Sequence, residues 1–244
     1  SERAKRIFRA FPPLLRLYRW FFYWQLERNY LAFGANGRTA RNFEKAARAW
    51  LETSVPDPKL RALLTPDYRV GCKRILIDDD FYPALSRPNV SVEPSGIARI
   101  TRDGIEDKDG AIHPADVIVL ATGFETTTFL APIEITGRGG RALADAWDGG
   151  AGAHLGLCVS GFPNFFMMYG PNTNLGHNSI IFMIEAQVRY AVRCIRALAE
   201  KHLRFLDVRP EAQQRYNAGL QRELEKTAWA AGCCPPATRT WSPA

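Results

Sequence analysis

The sequence predicts an α/β fold, and three observations carry that prediction. Residues 1–70 read as helical, with apolar residues at helical spacing and Pro and Gly marking the ends. From Val70 the texture changes to short strands and tight turns, ending in the uninterrupted apolar run Asp116–Leu120. A long amphipathic helix then follows the Asn-rich stretch that closes at Ser179. With 244 residues and 46% hydrophobic content, the chain is long enough for a sizeable core, as one large domain or two smaller ones.

The elements can be justified in order. Pro12-Pro13 opens a helix through Leu14–Phe33, and Gly34-Ala-Asn-Gly37 closes it. A second helix suits Arg41–Glu52, where Phe43, Ala46, Ala47 and Trp50 share a face, and a short one suits Lys59–Leu64. Arg74–Asp78 reads as strand or loop, and Asn89–Glu93 alternates as a strand should. Gly96–Arg102, Ile105–Asp107 and Ala111–His113 predict short antiparallel strands, with Asp109-Gly110 as a hairpin turn. Asp116–Leu120 predicts a strand covered on both faces. Beyond it come a short helix at Arg141–Trp147 and strands at His154–Val159 and Phe165–Tyr169. A helix from about Ser179 to Lys201, N-capped by Asn178 or Ser179, and a last one starting at Pro210 complete the chain.

The net charge of +7 is unevenly placed. Residues 1–50 hold 11 Lys/Arg against 3 Asp/Glu, whereas the remainder holds 21 against 22. The basic character therefore belongs to one segment, and a nucleic-acid partner is not expected. That segment is rich in Arg and aromatic rings, but its longest uncharged run, Trp20–Leu26, is too short to span a bilayer. Two readings are open for residues 1–33: a helix packed within the protein, or peripheral membrane contact. The opening residues lack the order of a secretory signal, and the start at Ser1 fits a chain that begins in mid-protein. The five cysteines are odd in number and contain no Cys-x-x-Cys, so neither a disulfide framework nor a zinc site is expected. The expected compartment is a reducing cytoplasm.

Three segments in register carry the functional reading: Gly71–Tyr82, Asp116–Phe124 with its Ala-Thr-Gly ending, and Gly161 through Glu185. Together they resemble the C-terminal half of a class B flavoprotein monooxygenase of the Baeyer–Villiger type. The resemblance covers nearly the whole chain. It implies half of a two-dinucleotide-binding-domain flavoprotein, with FAD and NADP(H) as cofactors. Residues 1–70 would be a helical lobe inserted in the NADP domain, 71–126 the end of that domain, and 127–244 the end of the FAD domain. The glycine fingerprints that cradle the two pyrophosphates would lie in an N-terminal half that precedes these residues. The literal Gly-x-Gly-x-x-Ala at Gly137–Ala142 has no strand leading into it and reads as a polar turn.

The resemblance also assigns residues. Lys73 would meet the 2′-phosphate of NADP(H), and Arg74 would be the catalytic arginine beside the flavin, stabilising negative charge on the adduct formed with a ketone. An arginine suits that task because it stays protonated. Thr122, Gly123 and Phe124 would lie along the cofactors, where the chain returns to the flavin domain. Gly176, His177, Asn178 and Ser179 would present backbone and amide groups to the flavin, with Ile180 close to the substrate. The start of the following helix favours negative charge there. A His177–Ser179 hydrolase pair lacks a nucleophile elbow. Asp78-Asp79-Asp80 reads as an acidic turn, so no metal site is expected. Gly232-Cys233 departs from the family pattern, being followed by Cys-Pro-Pro-Ala-Thr.

The function implied is oxygen insertion beside a ketone carbonyl, using NADPH and O2 to give an ester or lactone. Two alternatives stand beside it: oxygenation at nitrogen or sulfur, which depends less on Arg74, and a non-catalytic scaffold that keeps the fold without cofactors. The chain alone is expected to be catalytically silent and to need a complementing N-terminal half.

Overall fold

The computed structural model describes residues 2–34, 37–73, 75–123 and 129–228. The chain divides into two compact units, one gathering residues 1–43, 68–75 and 126–244, the other 44–67 and 76–125. The first unit opens with α1 (Glu2–Ala10) and α2 (Pro12–Glu27). Pro12 and Pro13 sit in the first turn of α2, where a missing N–H is no loss. The helix does not continue to Phe33 in α form, because residues Arg28–Phe33 tighten into 3-10 turns. This drives Ala32 and Phe33 into the interior and delivers Gly34 to a bridge with Thr227. Helix α3 (Arg38–Ser54) is longer than expected, and its Phe43 and Trp50 face is exposed, with only Leu51 buried.

In the second unit, α4 (Pro58–Leu64) is capped by Asp57, whose carboxylate accepts from the N–H groups of Lys59 and Leu60. Helix α5 (Phe81–Leu85) was not anticipated; Asp78 Oδ1 starts it by accepting from Asp80 N at 2.8 Å and Phe81 N at 2.6 Å. The three expected short strands form β1 (Ile97–Ile100), β2 (Gly104–Asp107) and β3 (Ile112–Pro114). They make one antiparallel sheet in the order β1-β2-β3. Ile105 pairs with Ile100 on one side and His113 on the other. Asp107 shapes the Asp109-Gly110 turn by accepting from the N–H groups of Asp109 and Ala111.

Two expected strands do not form here. Residues 116–120 belong to no ladder among the described residues, and neither do 75–78. A strand exists only when a neighbour takes its N–H and C=O groups. Leu76 (81% exposed), Ile77 (97%), Val117 (79%) and Val119 (82%) show how little covers these runs in the second unit. Asn89–Glu93 is likewise unpaired.

The core of the first unit lies in its later part. Leu143, Ala153, Val159, Phe162 and Met167 are buried together, with Trp147 and Phe165 packed against them. Helix α6 (Leu143–Ala146) contributes to this core, while α7 (Ile180–Glu200) and α8 (Pro210–Leu224) bond the neighbouring backbone through Gln187 and Gln213. The strands expected at 154–159 and 165–169 reduce to a single His154–Cys158 bridge, backed by Met167 N donating to Leu157 O at 2.9 Å. Positive φ at Leu155, Gly156, Asn164 and Tyr169 breaks both runs into tight turns. Gln187 on α7 holds these turns: its Oε1 accepts from Tyr169 N, and its Nε2 donates to the carbonyls of Leu155 and Gly156.

Candidate functional site

In the first unit, two of the segments singled out by sequence converge on one ring. A Cβ on Gly71 would lie 2.9 Å from Phe33 Cδ1, and one on Gly176 would lie 2.8 Å from Phe33 Cε1 and Cζ. Both glycines thus lie against the same edge of a buried phenylalanine, and Gly71 also has φ +88°. Lys73 follows two residues after Gly71, exposed, with its Nζ 4.6 Å from the centre of the Tyr68 ring. Arg74 and Phe124 lie outside the described residues. In the second unit, Thr122 and Gly123 end the exposed run that begins at Asp116.

The loop from Gly176 to Ile180 is built onto α2. Asn178 Nδ2 donates to Glu27 Oε2 at 2.8 Å, and its Oδ1 accepts from Ser179 N at 2.7 Å. His177 Nε2 lies 3.5 Å from the same Glu27 oxygen, with its side chain only 9% exposed and its ring edge-on to Tyr30. Ser179 is the residue before α7, but its side chain makes no capping bond. The first-turn N–H groups of α7 are therefore not covered by the Ser179 hydroxyl. Just upstream, Asn174 Oδ1 is buried with no hydrogen-bond partner among the described residues. A bidentate bond between Arg19 Nη2 and Glu185, both contacts 2.8 Å, braces α2 against the next turn of α7.

Three residues of this arrangement escaped the sequence reading: Phe33, Glu27 and Gln187. Phe33 hid in a segment read only as helical. Glu27 had a usable signal: it lies eight residues after Arg19, on the same face of an otherwise aromatic helix. Gln187 is a buried polar residue in a long apolar stretch, a pattern that usually marks a hydrogen-bond duty.

The remaining expectations divide cleanly. The Gly137–Ala142 turn is closed by a Thr136–Ala142 bridge, and Arg138 N donates to Gly161 O. It is a packing turn rather than a phosphate loop. The Asp78 carboxylate is engaged with backbone N–H groups, as an acidic turn requires. Among the described residues, Glu93, Asp107 and His113 bring their ligand atoms within 4.8 Å of one another. There the His113 ring and the Asp107 carboxylate hydrogen-bond at 2.9 Å, which raises the histidine pKa and lowers that of the acid. Cys158 and Cys194 are free thiols, with burial pushing Cys158 up to about 11. Cys72 is disulfide-bonded, where the sequence suggested no disulfide framework. No helix is long and apolar enough to cross a membrane among the described residues.

No family model matches the chain. Known proteins do. Over 234 residues it is 38% identical to a Baeyer-Villiger monooxygenase of Pseudomonas aeruginosa, covering 96% of this chain and 44% of that one. It is 39% identical to a Baeyer-Villiger monooxygenase of Streptomyces coelicolor, covering 96% and 45%. It is 46% identical over 200 residues to the FAD-binding monooxygenase ktnD of Aspergillus niger, covering 80% and 33%. Among solved structures it resembles an oxidized steroid monooxygenase bound to NADP, with a TM-score of 0.75 and 30% identity over 86% of this chain and 42% of that one. An open structure of cyclohexanone monooxygenase gives a TM-score of 0.70 at 29% identity, over 80% and 38%. The chain spans less than half the length of these curated relatives. By sequence and by α/β fold it belongs to the Baeyer–Villiger monooxygenase family.

Proposed function

We propose that this chain supplies the Lys73-Arg74 pair and the loop at the start of α7 to a flavin-dependent monooxygenase. The assembled protein would use NADPH and O2 to insert oxygen beside a ketone carbonyl, giving an ester or lactone. One observation supports the reading: Gly71, two residues before Lys73, and Gly176, at the start of the loop before α7, lie against one edge of the Phe33 ring. Two segments more than a hundred residues apart are thereby brought to one ring, one leading to Lys73 and the other to a helix N-terminus.

The residues present fit the two cofactors. Asn174 Oδ1 is a buried acceptor awaiting an N–H or O–H donor. The N–H groups at the start of α7 present the positive end of a 21-residue helix to negative charge. Lys73, exposed beside Tyr68, is free to swing its ammonium toward a phosphate. When bound, the flavin supplies oxygen activation and the nicotinamide the reducing equivalents. The chain's own contribution is positional and electrostatic. Arg74 would contribute a permanent positive charge where negative charge develops on the carbonyl oxygen. Glu27 fixes His177 and Asn178, so the loop meets a cofactor through its backbone and Asn174. Thr122 and Gly123, after an extended apolar run, would approach the cofactors with backbone N–H groups.

The activity is proposed for the assembled protein. Supporting this, the chain matches less than half of each relative, and its extended runs at 76–77 and 117–120 are bare of partners among the described residues. A complementing polypeptide that pairs with them would bring the phosphate-binding glycine loops. The test is coexpression with the portion of the Pseudomonas aeruginosa relative that has no counterpart here. The expected outcome is a copurified yellow complex that oxidises NADPH in a ketone-dependent way and forms ester. In that complex Arg74→Ala should abolish ester while NADPH still bleaches the flavin. Undiminished ester from the Arg74→Ala complex, or a complex that retains no flavin, would sink the proposal.

A further inference from the structure

Helix α2 has three distinct sides. One packs inward: Arg19 bonds Glu185, Tyr23 meets Phe182 edge-on at 5.4 Å, and Glu27 receives Asn178. A second meets α1, through Tyr18 against Phe8 at 5.2 Å. The third carries Leu17, Trp20, Phe21 and Trp24 at helical spacing i, i+3, i+4, i+7, and none of the described residues covers it: their exposures are 61%, 61%, 57% and 52%. The inner side is satisfied, so this outer stripe takes no part in packing α2 onto α7.

Beside the stripe the charge is predominantly positive, Glu2 on α1 being paired with Lys5. Arg3, Arg6 and Arg9 on α1 and Arg16 on α2 are exposed, and none has a carboxylate partner among the described residues. Within residues 1–50 the basic excess is +8. Two tryptophans and a phenylalanine flanked by unpaired arginines match the chemistry of a lipid headgroup boundary, where amphipathic rings sit and basic heads reach anionic phosphates. A second copy of the chain fits less well, since docking through this face would bring two basic segments together. We propose that α1 and α2 form a docking surface for an anionic membrane, with the outer stripe of α2 lying in the interface plane. Among the described residues no helix is long and apolar enough to span, and the contact proposed is a peripheral one.

Cosedimentation tests this, using phosphatidylcholine vesicles with and without a quarter phosphatidylglycerol. The chain should bind the anionic vesicles and not the zwitterionic ones, with tryptophan emission shifting to the blue and binding weakening as salt rises. Arg3→Glu/Arg6→Glu/Arg9→Glu, all on the exposed face of α1, should weaken partitioning on the order of a hundredfold or more, given the worth of basic residues at an anionic surface. Trp20→Ser/Trp24→Ser should abolish the spectral shift; far-UV circular dichroism checks its folding, and the α1 variant stands independently if it misfolds. The proposal is overturned by no binding to anionic vesicles, by equal binding to both kinds, or by arginine variants that bind as the parent does. A dimer that the tryptophan variant dissociates, with no vesicle binding, would assign the stripe to self-association instead.

Discussion

Substituting the two glycines on the Phe33 ring is the sharpest probe of how the site is held. Gly176→Ala places a methyl 2.8 Å from Cε1 and Cζ of the ring, roughly 1 Å inside the separation at which carbons attract. The ring is buried and lies against His177 at 6.2 Å, which limits its retreat. Overpacking of this kind costs about 1–3 kcal/mol. Gly71→Ala meets the same edge at 2.9 Å and also forces a side chain onto φ +88°, adding about 1–2 kcal/mol. Phe33→Ala costs about 3–5 kcal/mol alone, through the cavity it leaves. In that background, however, Gly176→Ala should become nearly neutral, while Gly71→Ala should keep only its backbone term. Urea unfolding of the single and double variants gives the coupling directly. If the Gly176→Ala and Phe33→Ala effects simply add within about 0.5 kcal/mol, the ring is not what excludes the methyl and the shared-edge argument fails.

Three further outcomes follow from the same structure. Gln187→Leu should cost about 1–3 kcal/mol by stranding Tyr169 N and the carbonyls of Leu155 and Gly156; the faster exchange of the Tyr169 amide reports it, and an unchanged amide would argue against the role given to Gln187. Cys158, pushed up to about 11 chiefly by burial, should alkylate very slowly near neutral pH and accelerate only as pH approaches that value; rapid labelling at pH 7 would contradict its burial. The His113–Asp107 bond should give the second unit a stability window. Asp107 is held below its ordinary 3.8 chiefly by the His113 hydrogen bond, so its contribution is present above that value and lost in stronger acid. His113 is raised above 6.5 chiefly by the same bond, so its contribution is complete below that value and fades as pH rises through the elevated one. His113→Gln should flatten the alkaline side of the stability profile measured by urea unfolding, and an unaltered profile would show that the pair carries no linkage.

What the sequence made legible was local. The helices announced themselves through prolines at their starts, Pro12, Pro58 and Pro210, and through apolar spacing. The β1-β2-β3 meander was readable from alternation and the Asp109-Gly110 turn. What stayed hidden was non-local. Val117-Ile118-Val119-Leu120 has every property of a buried strand, yet strand formation is a property of two chains' hydrogen bonds, and its partner is not among the described residues. Positive φ at Leu155 and Asn164 left no trace in residue type at the first and little at the second, so two strands were expected where turns stand. At the site, the glycines at 71 and 176 were visible, but the phenylalanine they share was not. Only packing places residue 33 between segments so far apart in the chain.

The bare edge at 117–120 also bears on how this polypeptide behaves in bulk. From Val117 to Phe124 the sequence holds neither a charge nor a proline, so only the flanking Asp116 and Glu125 guard this apolar run. An edge ready to accept a correct neighbour accepts an incorrect one by the same hydrogen bonds. Solubility of the chain is then a race rather than a constant: dilution and prompt arrival of the proper strand favour assembly, while concentration and delay favour cross-β stacking of one copy on another.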